Sequence, residues 1–352
     1  MSLREAKATR NPTRLGNHRG GFLEGWKQLA MTFSRCGMGG AVERTSAMEE
    51  PRDEIARDLM RLGDVDGASK TAETEIQRAG DQGNSIELWR LRFIRAEVLE
   101  AHGRADEALK YIESLTPPPA QEVESCASLK MHRGFYSGLL GRYELAHRLL
   151  GEAEVTAHDG GLPKLQADVY LSWAFIFFRQ EDYVSSGRLF RSVLSIAEKV
   201  GGWYFRGHAF WGIGKNLMIL EQYRDAMPWL EESLGIFEDA RARLSIAMVW
   251  SELAVCYLGV GDDEKALELF RKAECVNREL GYIHNYQVVL ANTGNVYLYR
   301  RDHFTAISYY RRALALAREI KDPVSIKKWN YNINLAYARI RADVDQRRMR
   351  IA

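Results

Sequence analysis

The sequence is poor in residues that interrupt helices and in closely spaced cysteines. Only 8 of its 352 residues are proline, a count that favours helices. The four cysteines, Cys36, Cys126, Cys256 and Cys275, lie far apart and form no Cys-x-x-Cys pair. This spacing does not support a disulfide framework or a zinc motif, and it fits a reducing compartment.

A membrane span and a secretion signal are also missing from the pattern. No apolar run approaches the roughly 18 residues that cross a bilayer, and the N-terminal residues lack the apolar core of a signal peptide. Hydrophobic residues make up 46% and charged residues 27% of the chain, which is ordinary for a protein with a packed core. We therefore expect a soluble, cytoplasmic protein without a membrane partner.

The charge is almost balanced overall but uneven along the chain. Residues 1–48 hold 8 Lys and Arg against 3 Asp and Glu, and the remaining residues hold 41 against 44. The main body therefore lacks the excess of basic residues expected of a nucleic-acid-binding domain. We expect no nucleic-acid partner for the main body.

The sequence does contain an internal repeat with a period of about 40 residues. One column of small residues recurs at intervals of 40, with a single interval of 38: Ala56, Ala96, Gly134, Ala174, Gly214, Ala254 and Gly294. Twelve residues later in each unit stands a second small residue: Ala68, Ala108, Ala146, Ser186, Ala226, Ala266 and Ala306. Four residues further on, every unit except the first has a large residue: Ile112, Leu150, Phe190, Leu230, Phe270 and Tyr310. Small residues let two helices approach closely while large ones fill the grooves, so the columns predict packed helix pairs.

Each unit alternates a helical stretch, a turn and a second helical stretch. The turn positions are Gly63, Gly103, Gly141, Glu181, Glu221, Gly261 and Arg301. The stretch "LGVGDDEKAL" resembles an ion-binding loop, because a Gly-x-Gly step is followed by carboxylates. When the repeats are aligned, however, Gly261 is one of these turn positions. Asp262 and Asp263 then begin the next helix, where carboxylates cap free backbone N–H groups.

These units resemble the tetratricopeptide repeat family. Good copies of the family pattern are "WSELAVCYLGVGDDEKALELFRKA" and "GNVYLYRRDHFTAISYYRRAL". The resemblance covers residues 49–326 as seven units, and "KKWNYNINLAYARI" resembles an eighth first helix. The period exceeds the usual ~34 residues. In this it resembles the repeats of Pins/LGN-type adaptors, kinesin light chains and MalT- or Rap-type regulators.

The resemblance implies an all-α fold, a right-handed superhelical α-solenoid of about seven helix-turn-helix units with a C-terminal capping helix. The units are expected to start near residues 49, 89, 127, 167, 207, 247 and 287 of the segment 49–326. The capping helix is expected over 327–342, and a basic tail over 343–352. We expect residues 1–48 to be a flexible basic segment.

Within that first segment, Phe22, Trp26, Leu29 and Phe33 are spaced as one stripe of a short amphipathic helix near 22–34. Such a helix could cover the exposed edge of unit one or dock in the groove of the solenoid as a built-in competitor. The alternatives are a disordered basic tail, a transit peptide, or an over-extended start with Met48 as the true first residue.

The face of each first helix opposite the packing columns lines the concave surface in this family, so the resemblance implies a binding groove there. The candidate partner-binding residues are Met131, His132, Phe135, Leu171, Phe175, Phe178, Arg179, Trp211, Lys215, Asn292, Asn295 and Tyr299. Aromatic residues ringed by polar ones predict a groove for a peptide or protein segment. Lys215 has no packing reason to face inward, which suggests acidic as well as apolar residues in the partner. Alternatively, the aromatics pack between first helices of a tightly wound array.

No catalytic or metal-binding motif accompanies the repeats. "GIGKN" at 212–216 is not a phosphate-binding loop, because Ala209 replaces the first required glycine and Asn216 the Ser or Thr that binds magnesium. The sequence also lacks Gly-x-Ser-x-Gly and His-Glu-x-x-His. We therefore predict a non-enzyme that needs no cofactor and no metal.

Two functions remain after this exclusion. The first is a non-catalytic interaction scaffold or adaptor that binds a peptide or protein segment in the concave groove. The second is a ligand- or peptide-sensing regulatory module that controls a separate transcriptional or signalling effector. Regulators of the second kind usually carry a DNA-binding or catalytic domain on the same chain. None is visible here, which favours the scaffold. The oligomeric state stays open.

Overall fold

The computed structural model describes residues 52–320 and 322–351, which form 15 α-helices and no strand. The first helices of the units are α1 (Arg52–Leu62), α3 (Ser85–Ala101), α5 (Val123–Leu139), α7 (Pro163–Arg179), α9 (Trp203–Ile219), α11 (Arg243–Val260), α13 (Ile283–Tyr299) and α15 (Pro323–Ile351). The second helices are α2 (Val65–Asp81), α4 (Ala105–Ser114), α6 (Tyr143–Asp159), α8 (Tyr183–Val200), α10 (Tyr223–Asp239), α12 (Asp263–Glu279) and α14 (His303–Glu319).

Packing between these helices is mainly sequential. Each helix contacts the one before and the one after it, and the first helices of neighbouring units also touch one another. Each unit therefore buries its apolar faces against its neighbours, as in a solenoid. The predicted all-α solenoid is confirmed.

The three residue columns form the seam of this packing. Every member of both small columns is buried, and large-column residues such as Leu230, Phe270 and Tyr310 have no exposed surface. Gly214 shows why the first column must be small: a Cβ at this position would lie 2.8 Å from Cγ of Leu230. The periodic residues are therefore explained by helix packing.

The seven predicted turn positions all adopt a left-handed backbone. Gly261 has a φ of 91°, and even Glu181, Glu221 and Arg301 have φ values of 64°, 58° and 62°. At the start of α12 the carboxylate of Asp262 accepts a hydrogen bond from the Lys265 backbone N–H at 3.0 Å. The glycine and the acidic residue of this bend thus end one helix and cap the next, as expected from sequence.

The expectation that no segment is long and apolar enough to cross a bilayer is wrong for one helix. By length and composition alone, α11 is long and apolar enough to cross a bilayer, and 39% of it is buried. The helices α10 and α12 pack against it, and Leu253 and Ala254 belong to the largest apolar cluster. We read it as a core helix of the solenoid.

The expected boundaries of the segments differ in part from the helices of the structure. The last helix, α15, continues through Ile351 and so includes most of the stretch 343–352 that we expected to be a separate tail. The expected unit starts near 89 to 287 each lie about one turn inside a first helix. Residues 1–48, with the amphipathic stripe near 22–34, lie outside the described residues.

The solenoid turns tightly enough for distant units to meet. A Cβ added to Gly63, at the end of α1, would lie 2.7 Å from Cβ of Leu244 in α11. The guanidinium of Arg61 lies 4.8 Å from the ring centroid of Tyr204 in α9. Unit one therefore contacts units five and six, and the concave surface curves around a central cavity that is open to solvent.

Candidate functional site

The central cavity has a volume of about 1190 Å³ and lies on the concave side of the superhelix. Its wall is built mainly from the first helices α1, α3, α5, α7, α9, α11 and α13. Residues of the second helices and bends, such as Glu107, Phe190 and Glu319, and the start of α15 complete it. This volume exceeds the ~300–1,000 Å³ that is typical of ligand pockets, so it suits an occupant larger than a small metabolite.

Eight of the twelve predicted site residues line this cavity: Met131, His132, Phe135, Leu171, Phe175, Arg179, Trp211 and Lys215. Phe178 stands beside the wall, with its ring centroid 5.1 Å from Nζ of Lys215. Asn292, Asn295 and Tyr299 are not part of the wall. Asn295 instead accepts a hydrogen bond from the hydroxyl of Tyr310 at 2.7 Å, and Tyr299 is 58% exposed.

The apolar part of the wall is a set of aromatic rings from successive units. The rings of Phe135 and Phe175 are 6.0 Å apart, and Phe190 meets Trp211 edge to face at 6.4 Å. The rings pack between first helices, as the alternative interpretation expected, and they also border the cavity. Trp211 is almost fully buried, and its indole N–H has no hydrogen-bond partner among the described residues. The wall thus offers apolar area, and behind its surface lies a buried donor without a partner.

The interpretation of Lys215 as a residue with no packing reason to face inward is corrected, because its charge is already matched within the chain. Its Nζ lies 2.9 Å from a carboxylate oxygen of Glu252 on the neighbouring helix α11. The same ammonium lies 4.7 Å from the ring centroid of Trp211, a favourable cation–π position. The inward lysine therefore gives no reason to expect acidic residues in a partner.

A network of charged residues occupies the part of the wall formed by α1, α3 and α5. The Arg57 guanidinium donates to Glu97 at 3.2 Å, and Nε2 of His132 lies 3.0 Å from the same carboxylate oxygen. Burial alone would raise the pKa of Glu97. The charge of Arg57 and the hydrogen bond with His132 outweigh it and bring the pKa to about 2. Glu97 is therefore ionised and fully matched by its own neighbours.

Two further carboxyls of the wall have no such match. The side chains of Glu100 and Asp168 form no hydrogen bond or ion pair with any residue of 52–320 or 322–351. Burial, with the nearby charge of Glu97, raises the pKa of Glu100 to about 7. Burial also raises the pKa of Asp168 to about 6, although the charges of Arg57 and Arg61 oppose the increase. Both carboxyls are thus held in a place that disfavours their charge.

The charged network was not predicted from the sequence, although its residues occupy unit positions that face the concave surface. In the third unit, His132 and Phe135 are the sixth and ninth positions. The ninth and thirteenth positions of unit one are Arg57 and Arg61, and the ninth of unit two is Glu97. What no local pattern indicates is that unit one, at the far end of the array, also reaches Tyr204 in unit five.

The cavity wall shows no arrangement typical of a metal centre. Across the described ranges 52–320 and 322–351, no three His, Cys, Asp or Glu residues are grouped so that they could hold a metal ion. Cys256 is buried on α11, and burial raises the pKa of its thiol to about 12. That cysteine is therefore unsuited to act as a nucleophile.

Helix pairs that pack sequentially around a concave surface define a helical repeat protein. Two family models, both described as tetratricopeptide repeat, match residues 54–122 and 245–319. Both halves of the chain therefore contain tetratricopeptide repeats, as the periodic residues indicated. No curated protein matches the sequence.

Several solved structures share the fold. A Rap protein complexed with competence and sporulation factor has a TM-score of 0.61 and 16% identity, over 83% of this chain and 85% of that one. A STAND protein with a tetratricopeptide repeat sensor, from Pyrococcus horikoshii, has a TM-score of 0.55 and 15% identity, over 84% of this chain and 49% of that one. Aspartyl phosphate phosphatase F from Bacillus subtilis has a TM-score of 0.50 and 14% identity, over 87% and 84%. At these identities the likeness concerns the fold.

Proposed function

We propose that this protein is a non-catalytic interaction scaffold that holds a short peptide, or an exposed protein segment, inside its central cavity. The observation that carries the proposal is the concave surface that curves around the central cavity, with its aromatic rings and unmatched polar groups. A peptide offers apolar side chains to the rings and backbone N–H and C=O groups to the polar atoms. A cytoplasmic location would fit this role.

The energetics require most of the wall to take part. Burying one large apolar side chain contributes about 1.5 to 3 kcal/mol, whereas association costs at least about 4 kcal/mol. Contacts with Phe175 alone therefore cannot hold a ligand. A segment of about six residues, ~20 Å long when extended, can touch several units at once. The solved Rap structure contains a bound competence and sporulation factor, and its likeness to this chain concerns the fold alone.

The proposal is tested with a pool of synthetic peptides about six residues long, with blocked ends and varied sequences. The protein is equilibrated with the pool, separated by rapid gel filtration, and the retained peptides are identified by mass spectrometry. We expect a small subset to be retained, with affinity lowered about tenfold or more by Phe175→Ala. Ser172→Trp, which fills part of the cavity, should abolish retention.

The matched control is Phe304→Ala, since Phe304 is 76% exposed and lies outside the cavity wall. It makes the same chemical change and should leave retention as in the unaltered protein. Retention that is equal in all three variants, or no retention by the unaltered protein, would contradict the proposal.

A second function, a regulatory sensor, is favoured by the contact between units one and six. Because Leu244 in α11 packs close to Gly63, an occupant that widens the cavity must separate these units. Binding would then change the pitch of the superhelix and so signal to a separate effector. A spin-label pair placed on Asp58 of α1 and Glu264 of α12 tests this. The sensor function requires the distance between the labels to change when a retained peptide is added.

A further inference from the structure

The charges of the cavity wall indicate more about the occupant than its size. Among the described residues that line the cavity, eight are Asp or Glu and five are Lys or Arg. Several are matched in pairs, such as Arg57 with Glu97 and Lys215 with Glu252. The surplus within the wall is therefore negative, and the cations that an acidic partner would need are in part already engaged.

The unmatched carboxyls, Glu100 on α3 and Asp168 on α7, both line the cavity and both feel the charge of the paired Glu97. Both residues are half-buried, and a carboxylate with reduced access to water is costly unless a cation or several hydrogen-bond donors accompany it. Beside them, Tyr136 is buried to 1% exposure in the same wall, and its hydroxyl has no partner among the described residues. A buried hydroxyl near Glu100 and two carboxyls, one on α3 and one on α7, are thus left without hydrogen bonds in the cavity wall.

We infer that the occupant presents a positively charged group, a lysine or arginine side chain or a free amino terminus, to Glu100 and Asp168. The inference rests on the proposed function and adds the chemical class of the ligand. An ammonium or guanidinium supplies the donors that these carboxylates lack, and a charge-assisted hydrogen bond in such a place is strong. The predicted acidic partner is replaced by a basic one.

Binding should consequently depend on pH. The charged and titratable groups around Glu100 are Glu97, Arg179, Tyr136 and Tyr282. With a pKa of about 7, Glu100 is ionised at pH 8 and protonated at pH 5.5. A cationic ligand therefore loses its partner as the pH falls.

Around Asp168 the corresponding groups are Arg57, Arg61, Glu97, His132 and Tyr204. Asp168, with a pKa of about 6, is also mainly protonated at pH 5.5. Burial lowers the pKa of His208 on α9 to about 4, so its ring stays uncharged between pH 5.5 and pH 8. The loss of affinity on acidification should therefore come mainly from the carboxyls.

The test uses three peptide sets that are identical except at one position, which is Lys, Met or Glu, with both ends blocked so that no other charge is present. Retention and affinity are measured at pH 8 and pH 5.5. We expect the Lys set to be retained preferentially at pH 8. Its affinity should fall about tenfold or more at pH 5.5, and equally in Glu100→Gln or Asp168→Asn at pH 8.

Glu264→Gln is the matched control, because it neutralises an exposed carboxylate outside the cavity wall and should change nothing. Retention of a Met peptide by Glu100→Gln shows that the variant is folded. If Met or Glu peptides are preferred, and depend on Phe175, the inference about charge is wrong while the proposed function stands. Preference for Lys that ignores both carboxyl variants also overturns the inference. If no set is retained, the proposed function fails and the inference fails with it.

Discussion

The seam between helices and the wall of the cavity are built from the same first helices but follow opposite rules. Along the seam small residues recur in every unit and large residues in every unit but the first, and they are buried without charge. Along the wall each unit presents a different residue, such as Arg57, Glu97, His132 and Asp168 in units one to four. Packing geometry is identical from unit to unit, so the seam repeats. A single occupant contacts each unit at a different point, so the residues of the wall need not repeat from unit to unit.

The strongest way to test this contrast is to remove a large residue from the seam. Phe270 has no exposed surface, and Phe270→Ala should lower the free energy of unfolding by about 3 to 5 kcal/mol. Urea unfolding followed by circular dichroism measures it. Phe304→Ala is the control, expected within about 0.5 kcal/mol. Similar midpoints for both variants would mean that the seam does not carry the stability.

The next effect concerns the matched charges of the wall. Arg57→Gln leaves Glu97 without its cation and should destabilise the fold by about 1 to 3 kcal/mol at pH 7. Because the pKa of Glu97 is about 2, the wild-type pair contributes stability that is present above the ordinary carboxyl pKa and lost as the pH falls toward 2. The variant should therefore show a smaller loss in acid, measured by urea midpoints from pH 2 to pH 7.

The control for that variant is Arg243→Gln, which breaks the exposed ion pair with Glu279. An exposed pair contributes about 0 to 1 kcal/mol. Equal destabilisation by both substitutions would show that the wall pair is no more than a surface contact.

A third substitution should stabilise the protein. The pKa of Glu100 in the fold is about 7, above the ordinary value of 4.5, so the fold binds a proton more readily than the unfolded chain. The stability from this group is present below pH 4.5 and is lost as the pH rises through 7. Glu100→Gln should therefore be more stable than wild type by about 1 to 2 kcal/mol at pH 8 and equal to it near pH 4. Thermal midpoints across this range measure the difference, and an unchanged profile would contradict it.

The smallest effect belongs to the bends, which are neither seam nor wall. Asp262→Ala removes the side chain that caps α12 and should cost about 1 kcal/mol. Glu231→Ala, an exposed carboxylate in the middle of α10, should change the urea midpoint much less. If the two are equal, the aspartate is not a significant cap.

The sequence was sufficient for the features that repeat and insufficient for those that depend on distant units. Column spacing identified the helix pairs, the buried residues and the left-handed turns, because each is decided by neighbours within one or two units. It also placed Phe135, Phe175 and Trp211 on the inner face. It could not indicate that Glu252 is the partner of Lys215, because contacts between side chains of neighbouring units do not follow the 40-residue period. Nor could it indicate that unit one returns to meet unit six.

That last contact bears on how the molecule unfolds. In an open array each unit touches only its neighbours, so melting can begin at either end and spread one unit at a time. Here Gly63 and Leu244 join units one and six, with 180 residues of chain, 64–243, between them. Fraying at the first unit would also strip a contact from the sixth. Units one to six are therefore tied into one cooperative block, and hydrogen exchange in α1 should be slower than its position near the edge of the array would suggest.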